Sequence, residues 1–287
     1  MGKIESITAT IPVTGQSYTD LRPTVSADSP EEYRELLAAV GELAGNAKFV
    51  ERMRGQVEDQ TALTGAPVRS QRIIGNGVLF NEEEHTYSKN GKLYLSGSTF
   101  AHMFEKEFPR DAIAQKVSAR DEVPVEQVLA SWDSKGEISL QYGTLIHKCM
   151  ETFIKYDELP NNEYLKAIVE DWAEQNDHET FQSEVFVQDD THQLCGVIDL
   201  IQGATILDFK TGDIHQKISH NLGSAFPNDR LSLYTLQLNF YRYIMEQNGS
   251  KIKALFVWWL NGEHWEKVKV DIIDIRPYLE EVWKPTK

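Results

Sequence analysis

Two aspartates and one lysine alternate with apolar residues in positions 196–212. Asp208 and Lys210 are two residues apart, so on a strand both side chains leave one face, about 7 Å apart. An even-length turn near Gly203 would add Asp199 to that face, opposite or diagonal to Asp208. Two carboxylates at the edge of a buried sheet reduce stability unless a cation compensates them. They suit Mg²⁺ or Mn²⁺, and the lysine could orient a water molecule, although a hairpin with a surface ion pair is the simpler alternative.

A second group lies on a segment that the sequence predicts to be helical. Gly143, His147 and Glu151 are each four residues apart and therefore share one helix face. The glycine would let this helix approach the sheet closely, and His147 could complete the coordination of a metal ion. Glu151 could then orient the histidine ring from behind. A lone histidine on a helix is more often structural, and that alternative stays open.

A third group follows on a later helix. Tyr234, Gln237 and Tyr241 lie on one stripe at spacings of three and four residues. An amphipathic helix whose aromatic residues pack in the core would give the same stripe, so this segment by itself does not decide between the two readings.

The order of these pieces resembles a known family. Residues 140–245 carry a Gly-x-x-x-His-x-x-x-Glu helix, a Gly-x-x-Asp strand, an Asp-x-Lys strand and a Gln-x-x-x-Tyr helix, in that order. This ordered set resembles the RecB-like exonuclease branch of the PD-(D/E)XK nuclease superfamily. The Asn90-Gly91 hairpin and the Ser98-Thr99 helix start are similar to the region that precedes the core in phage-type and mitochondrial single-domain members.

The resemblance implies a phosphodiester hydrolase that uses one or two divalent ions, Mg²⁺ or Mn²⁺. It implies the following metal ligands: His147, Asp199, Asp208 and the backbone carbonyl of Phe209. Asp199, Asp208 and Lys210 would carry the catalysis, with Lys210 positioning the attacking water. It implies these supporting or DNA-contacting residues: Glu151, Glu184, Gln237, Tyr241 and Tyr234.

Cysteine content separates the chain from some members of that family. Cys149 and Cys195 are the two cysteines, and they cannot build a four-cysteine iron–sulfur cluster. The sequence also lacks a P-loop motif, so it carries no helicase motor. Six histidine and cysteine residues are possible zinc ligands, but their spacing matches no standard zinc motif. These residues are His147, Cys149, His192, Cys195, His215 and His220.

Charge argues against passive coating of nucleic acid. The formal net charge is −15 over 287 residues, and residues 140–229 carry 16 acidic against 5 basic side chains. Non-specific binding depends on neutralising phosphates with Lys and Arg. An enzyme that gathers cations at carboxylates and holds DNA in a local basic groove remains compatible with this balance. The longest apolar run, residues 254–260, is too short to cross a bilayer, so we expect no membrane partner. Two cysteines cannot build a disulfide scaffold, so we expect a reducing, cytoplasmic setting (host cytoplasm if phage-encoded).

The elements predict an α/β (α+β) fold, with a mixed central sheet of mainly antiparallel hairpins flanked by helices. The resemblance implies that this is a restriction-endonuclease-like core. The expected strands are 73–74, 78–80, 86–87, 93–95, 181–187, 194–201, 205–210, 252–260 and 265–270. The expected helices are 98–109, 125–132, 140–156, 164–175, 231–247 and 272–282. Residues 1–70 are expected to form a helical or flexible appendage, and residues 71–287 a nuclease domain with its core at 140–270.

Two further segments have two readings each. Trp258-Trp259 could stack on single-stranded bases, but strand alternation favours core packing. The loop at 211–230 carries His215, Lys217, His220 and Arg230, which could contact phosphate or could simply be solvated.

We therefore expect a divalent-metal-dependent DNA nuclease, an exonuclease more than an endonuclease, acting on single strands or duplex ends in recombination, repair or replication. A recombinase or a single-strand binding protein is the expected kind of partner. The alternative is a catalytically silent nuclease-fold protein that binds nucleic acid or imitates the charge of DNA.

Overall fold

The computed structural model of the chain describes residues 71–81 and 84–284. The expected helical or flexible appendage at 1–70 lies outside the described residues. Within the described part no helix is long and apolar enough to cross a membrane.

Nine strands and six α-helices make up the described residues. The strands are β1 Gln71–Ile74, β2 Val78–Asn81, β3 Thr86–Lys89, β4 Lys92–Ser96, β5 Gln182–Asp189, β6 Leu194–Gln202, β7 Thr205–Lys210, β8 Ala254–Asn261 and β9 His264–Val270. The helices are α1 Gly97–His102, α2 Arg110–Asp121, α3 Val125–Tyr156, α4 Glu163–Ala173, α5 Arg230–Gln247 and α6 Arg276–Val282, with a 3₁₀ turn at His178–Thr180.

The strands form one mixed sheet in the order β1-β2-β3-β4-β6-β7-β8-β9, with β5 also paired to β6. The pairs β4–β6 and β7–β8 are parallel and the others are antiparallel. Helix α5 connects the parallel strands β7 and β8, as a crossover between parallel strands requires. The predicted fold class is therefore confirmed.

Apolar side chains are buried against the sheet in two large clusters. One contains α5 with Ile198, Ile206 and Val257. The other contains α3 and α4 with Leu207 and Phe209. Because Ile206 and Leu207 are consecutive on β7 and belong to different clusters, the two faces of β7 are both covered, and its polar residues must lie where the clusters end.

Helix α3 is longer than the sequence indicates. The predicted helices at 125–132 and 140–156 are one helix of 32 residues, about 48 Å long. Gly136 did not interrupt it, because α2 packs along its first half: Arg110 Nη2 donates to the Leu129 carbonyl and pairs with Asp133, 2.6 Å away. Helix α2 was not predicted, since Ala114 is its one buried residue and its apolar periodicity is weak.

Two helix starts differ from the sequence prediction. Helix α1 is capped by Ser96, whose side chain accepts from the Thr99 amide, rather than by Ser98-Thr99. Helix α6 begins at Arg276 rather than at Ile272, because α5 holds the preceding residues: Asn239 Oδ1 accepts from the Ile273 amide and Arg242 Nη2 donates to the Ile273 carbonyl.

Candidate active site

Three carboxylates occupy matching positions on three neighbouring strands. Strand β5 pairs Ser183 with Leu200 and Val185 with Ile198, so Glu184 lies opposite Asp199 of β6. The β6–β7 register pairs Leu200 with Leu207, and its continuation sets Asp199 opposite Asp208. Glu184, Asp199 and Asp208 thus form a row across β5, β6 and β7.

Asp199 connects β7 to helix α3. Its Oδ2 accepts a hydrogen bond from the Phe209 amide at 2.8 Å and lies 3.4 Å from His147 Nδ1. The Asp199 side chain occupies the point where the β6–β7 pairing ends, one residue beyond the Leu200–Leu207 pair. The Asp199 carboxylate therefore accepts from the Phe209 amide, which would have bonded to the β6 backbone if the β6–β7 pairing had continued.

Asp208 and Lys210 form a buried ion pair, with Asp208 Oδ2 2.5 Å from Lys210 Nζ. Burial raises the pKa of Asp208 to about 6; the positive charge of Lys210 opposes this rise and the negative charge of Asp199 adds to it. Burial works to lower the pKa of Lys210, but the charges of Asp208 and Asp199 outweigh it and raise that pKa. Lys210 is consequently a cation at neutral pH.

Helix α5 brings three polar side chains against this pair. Gln237 Nε2 lies 3.4 Å from Asp208 Oδ1 and donates to the Tyr241 hydroxyl at 3.2 Å. The Tyr234 ring centroid lies 4.7 Å from Lys210 Nζ, in cation–π geometry. Gln237 and Tyr241 are both buried, so in this structure they brace the site from behind.

Glycines allow helices α5 and α3 to pack closely around the candidate site. A Cβ on Gly196 would lie 2.6 Å from Tyr241 Cε1, and one on Gly97 would lie 2.7 Å from the same atom. A Cβ on Gly143 of α3 would lie 3.2 Å from Thr211 Oγ1, just after β7. The expectation that Gly143 permits a close helix–sheet approach is confirmed.

Glu151 does not orient His147, contrary to the interpretation from sequence. Its Oε2 accepts from Lys148 Nζ at 2.9 Å and its Oε1 from Lys155 Nζ at 2.8 Å. Burial works to raise the pKa of Glu151, but these two hydrogen bonds and charges lower it. The i,i+3 and i,i+4 spacing about Glu151 was visible in the sequence and could have identified both lysines.

Glu184 is in a strained and crowded position. Its φ is +55°, which a non-glycine residue rarely adopts. The residue is exposed on β5, yet protein crowds its carboxyl group, and this desolvation together with Asp199 and Glu151 raises its pKa to about 7. Strain beside clustered charge is typical of functional sites.

The donors present fit a divalent cation in chemical type. Carboxylates and a histidine are hard-to-intermediate ligands of the kind that Mg²⁺ and Mn²⁺ accept. Buried Asp208 Oδ2 has no well-aligned hydrogen-bond donor among the described residues, because Lys210 approaches it outside hydrogen-bond geometry. As these side chains stand, no three His, Cys, Asp or Glu of the described residues converge on one point.

The structure bears on two further sequence interpretations, the zinc site and the role of Trp258-Trp259. The zinc alternative finds no such cluster within residues 71–81 and 84–284, and burial raises the pKa of both cysteine thiols to about 12. Trp258 is buried and Trp259 packs beside the other cluster, so core packing of this pair is confirmed.

The loop at 211–230 is tied down by its own contacts. Ile214 is fully buried, Lys106 donates its amide to the Ser219 carbonyl, and Asn221 donates to the Phe104 carbonyl. His220 Nε2 lies 2.6 Å from the Pro227 carbonyl. His220 is therefore used within the loop, whereas His215 and Lys217 are exposed.

Comparisons with known proteins add little. No protein-family model matches the chain, and no curated protein matches it. Among solved structures, the chain is similar to one from Eubacterium rectale named "Putative exonuclease", with 18% sequence identity and a TM-score of 0.33. The likeness covers 66% of this chain and 75% of that chain. A TM-score this low does not establish a shared fold or function.

Proposed function

We propose that this protein is a divalent-metal-dependent DNA nuclease, an exonuclease that hydrolyses phosphodiester bonds at DNA ends. The observation that carries the proposal is the row of Glu184, Asp199 and Asp208, with Lys210 paired to Asp208 and His147 3.4 Å from Asp199. A purely structural hairpin has no use for three neighbouring carboxylates, two of which have raised pKa values.

The metal would be held by Asp199 and Asp208, with His147, the Phe209 carbonyl and Glu184 completing its surroundings. Such an ion, when bound, neutralises charge on the phosphate and activates a water molecule. Its charge would also offset the burial of Asp208 and the repulsion from Asp199, which together raise the pKa of Asp208.

Lys210 would act as a fixed positive charge rather than as a base. Because Asp208 and Asp199 raise its pKa, the amine keeps its proton at neutral pH. It can donate hydrogen bonds to the attacking water and to oxygen atoms that gain negative charge at the phosphorus. The Tyr234 ring and the Asp208 carboxylate hold Nζ in place for this role.

Gln237 and Tyr241 would position Asp208 instead of touching the substrate. Both are buried, and Gln237 lies between the Tyr241 hydroxyl and Asp208 Oδ1. A fixed orientation of Asp208 matters because a small displacement of a ligand or reacting group greatly reduces the rate.

The test is digestion of end-labelled linear DNA and covalently closed circular DNA, single- and double-stranded, with Mg²⁺, Mn²⁺ or EDTA. We expect linear DNA alone to be degraded, and only with metal. Lys210→Ala and Asp208→Asn should each reduce the rate at least about a hundredfold, because each removes a charge that acts on the reacting phosphate or its metal.

Lys166→Ala is the matched control, since Lys166 is a helical lysine paired at 3.7 Å with Glu170 on α4. It should digest DNA at the wild-type rate, and circular dichroism should show that all variants are folded. Wild-type digestion by Lys210→Ala would refute the site. Absence of cleavage under every metal would favour the binding-protein alternative, and cutting of circles would make the enzyme an endonuclease.

A further inference from the structure

Lys148 and Lys155 are cations beside the candidate site that the proposed chemistry does not use. They lie on α3, on either side of Glu151, and their ammonium groups bond to its two carboxylate oxygens at 2.9 and 2.8 Å. Two ammonium groups share one carboxylate, so the trio has a net charge of +1. Each ammonium keeps hydrogen atoms that are free to donate, because a lysine has three.

This trio lies next to the row of carboxylates. Lys148 follows His147 directly in the helix, and Glu151 lies one turn further along the same face. The charges of Glu151, Lys155 and Lys148 all act on the Glu184 carboxyl group. Lys148 and Lys155 are therefore near Glu184, at one end of the row, while Lys210 pairs with Asp208 at the other end.

Residues 140–229, which contain the candidate site, have few other lysines or arginines. Residues 140–229 contain 5 lysines and arginines against 16 acidic residues. Of those five, Lys210 is buried with Asp208, Lys166 pairs with Glu170 on α4, and Lys217 lies in the loop after β7. An anionic substrate that approaches the carboxylates must be compensated locally, and Lys148 and Lys155 are the lysines whose charges act on Glu184 of the row.

We propose that Lys148 and Lys155, held together by Glu151, bind the DNA phosphate next to the one that is cleaved. This inference rests on the proposed nuclease function, and it assigns part of the substrate-binding surface to α3. Glu151 is then a positioning residue, which keeps two flexible side chains within reach of one phosphate group and so reduces the entropy that binding would cost. The side chains of both lysines are about one-third exposed, so they are accessible to DNA.

Binding of a short, fluorescently labelled oligonucleotide, single-stranded and duplex, should be measured by anisotropy in EDTA over a range of salt concentrations. Under these conditions binding is separated from cleavage. Lys148→Ala and Lys155→Ala should each weaken binding roughly three- to tenfold and lower the salt slope by about one per lysine. Lys155→Arg keeps the positive charge and should bind DNA about as tightly as the wild type, and so should Lys166→Ala.

Glu151→Gln distinguishes this role from a merely structural one. It removes the carboxylate that positions the ammonium groups but keeps both positive charges, so DNA binding should weaken less than in either lysine variant and the salt slope should stay that of the wild type. If the trio only stabilised α3, then Glu151→Gln and the lysine variants would change binding alike, and the inference would be wrong.

The outcome is independent of the nuclease test. Unchanged affinity and salt slope in both alanine variants, or no measurable DNA binding by the wild type, would overturn the inference even if the wild type cleaves DNA. Conversely, loss of binding in these variants without cleavage by the wild type would leave the phosphate contact standing and refute the proposed hydrolysis. In steady-state cleavage, both variants should raise KM and change kcat less than about twofold, as expected for loss of uniform binding.

Discussion

At the scale of single residues, the candidate site keeps like charges close together. Glu184, Asp199 and Asp208 lie on adjacent strands, and burial together with the negative charge of Asp199 raises the pKa of both neighbours. A raised carboxylate pKa means that ionisation opposes folding. The protein therefore holds these side chains in an arrangement that a bound cation would stabilise.

The first prediction concerns Glu184, whose pKa of about 7 in the folded protein exceeds its ordinary value of 4.5. The folded state binds this proton more tightly, so ionisation of Glu184 lowers stability as the pH rises through that interval. In EDTA, Glu184→Gln should raise Tm relative to the wild type at about pH 8.5 and less at about pH 5.5. An equal Tm difference at both pH values would contradict the charge explanation.

At the scale of elements, glycines determine how closely the helices approach the sheet. Tyr241 of α5 occupies the space that side chains at Gly97 and Gly196 would need. Gly196 is the glycine of the Gly-x-x-Asp segment that ends at Asp199. Because the Tyr241 ring fills the space beside it, the role of this glycine is to make room for that ring and not to take part in the chemistry. Helix α5 can then present Gln237 to Asp208.

The second prediction follows from this packing. Gly196→Ala should destabilise the protein by about 1–3 kcal/mol, because a Cβ 2.6 Å from Tyr241 Cε1 forces the ring or the strand to move. Gly136→Ala is the matched control: nothing lies within 4 Å of its added Cβ, and alanine in a helix is favoured by about 0.5–1 kcal/mol. Chemical denaturation measures both changes. Equal stability of the Gly196→Ala variant would show that Tyr241 moves aside freely.

At the scale of the whole molecule, the described residues have enough material for an independent domain. Residues 71–81 and 84–284 supply one nine-stranded sheet with apolar clusters on both faces. A domain of roughly 200 residues buries about 70% of the surface that its unfolded chain exposes, which is ample for a stable core. The boundary near residue 70 stays a prediction.

The third prediction tests that boundary. A fragment of residues 71–287 should fold cooperatively, with a Tm within a few degrees of the full chain, because its sheet and both apolar clusters are built from its own residues. Thermal melting followed by circular dichroism makes the comparison. A fragment that fails to fold would show that residues 1–70 complete the core.

Local signals were read correctly from the sequence at two hairpin turns. Asn90 and Gly91 both have positive φ, at 52° and 76°, as their turn between β3 and β4 requires. The two-residue turn at Gly203-Ala204 likewise follows from the glycine and sets Asp199 and Asp208 in register. Helix α2 and the unbroken α3 could not be predicted this way, because each is stabilised by the other.

The sequence by itself determined the strands and helices that carry the candidate residues, the mixed fold class, and the pairing of acids with a lysine on one hairpin. Tertiary structure decided which of these residues meet. It brought Glu184 beside Asp199 through the β5–β6 register, and it brought Gln237 of α5 to Asp208 of β7. The physical reason is range: turn and periodicity preferences act between neighbours along the chain, whereas charge compensation and packing act between residues brought together only in the folded chain.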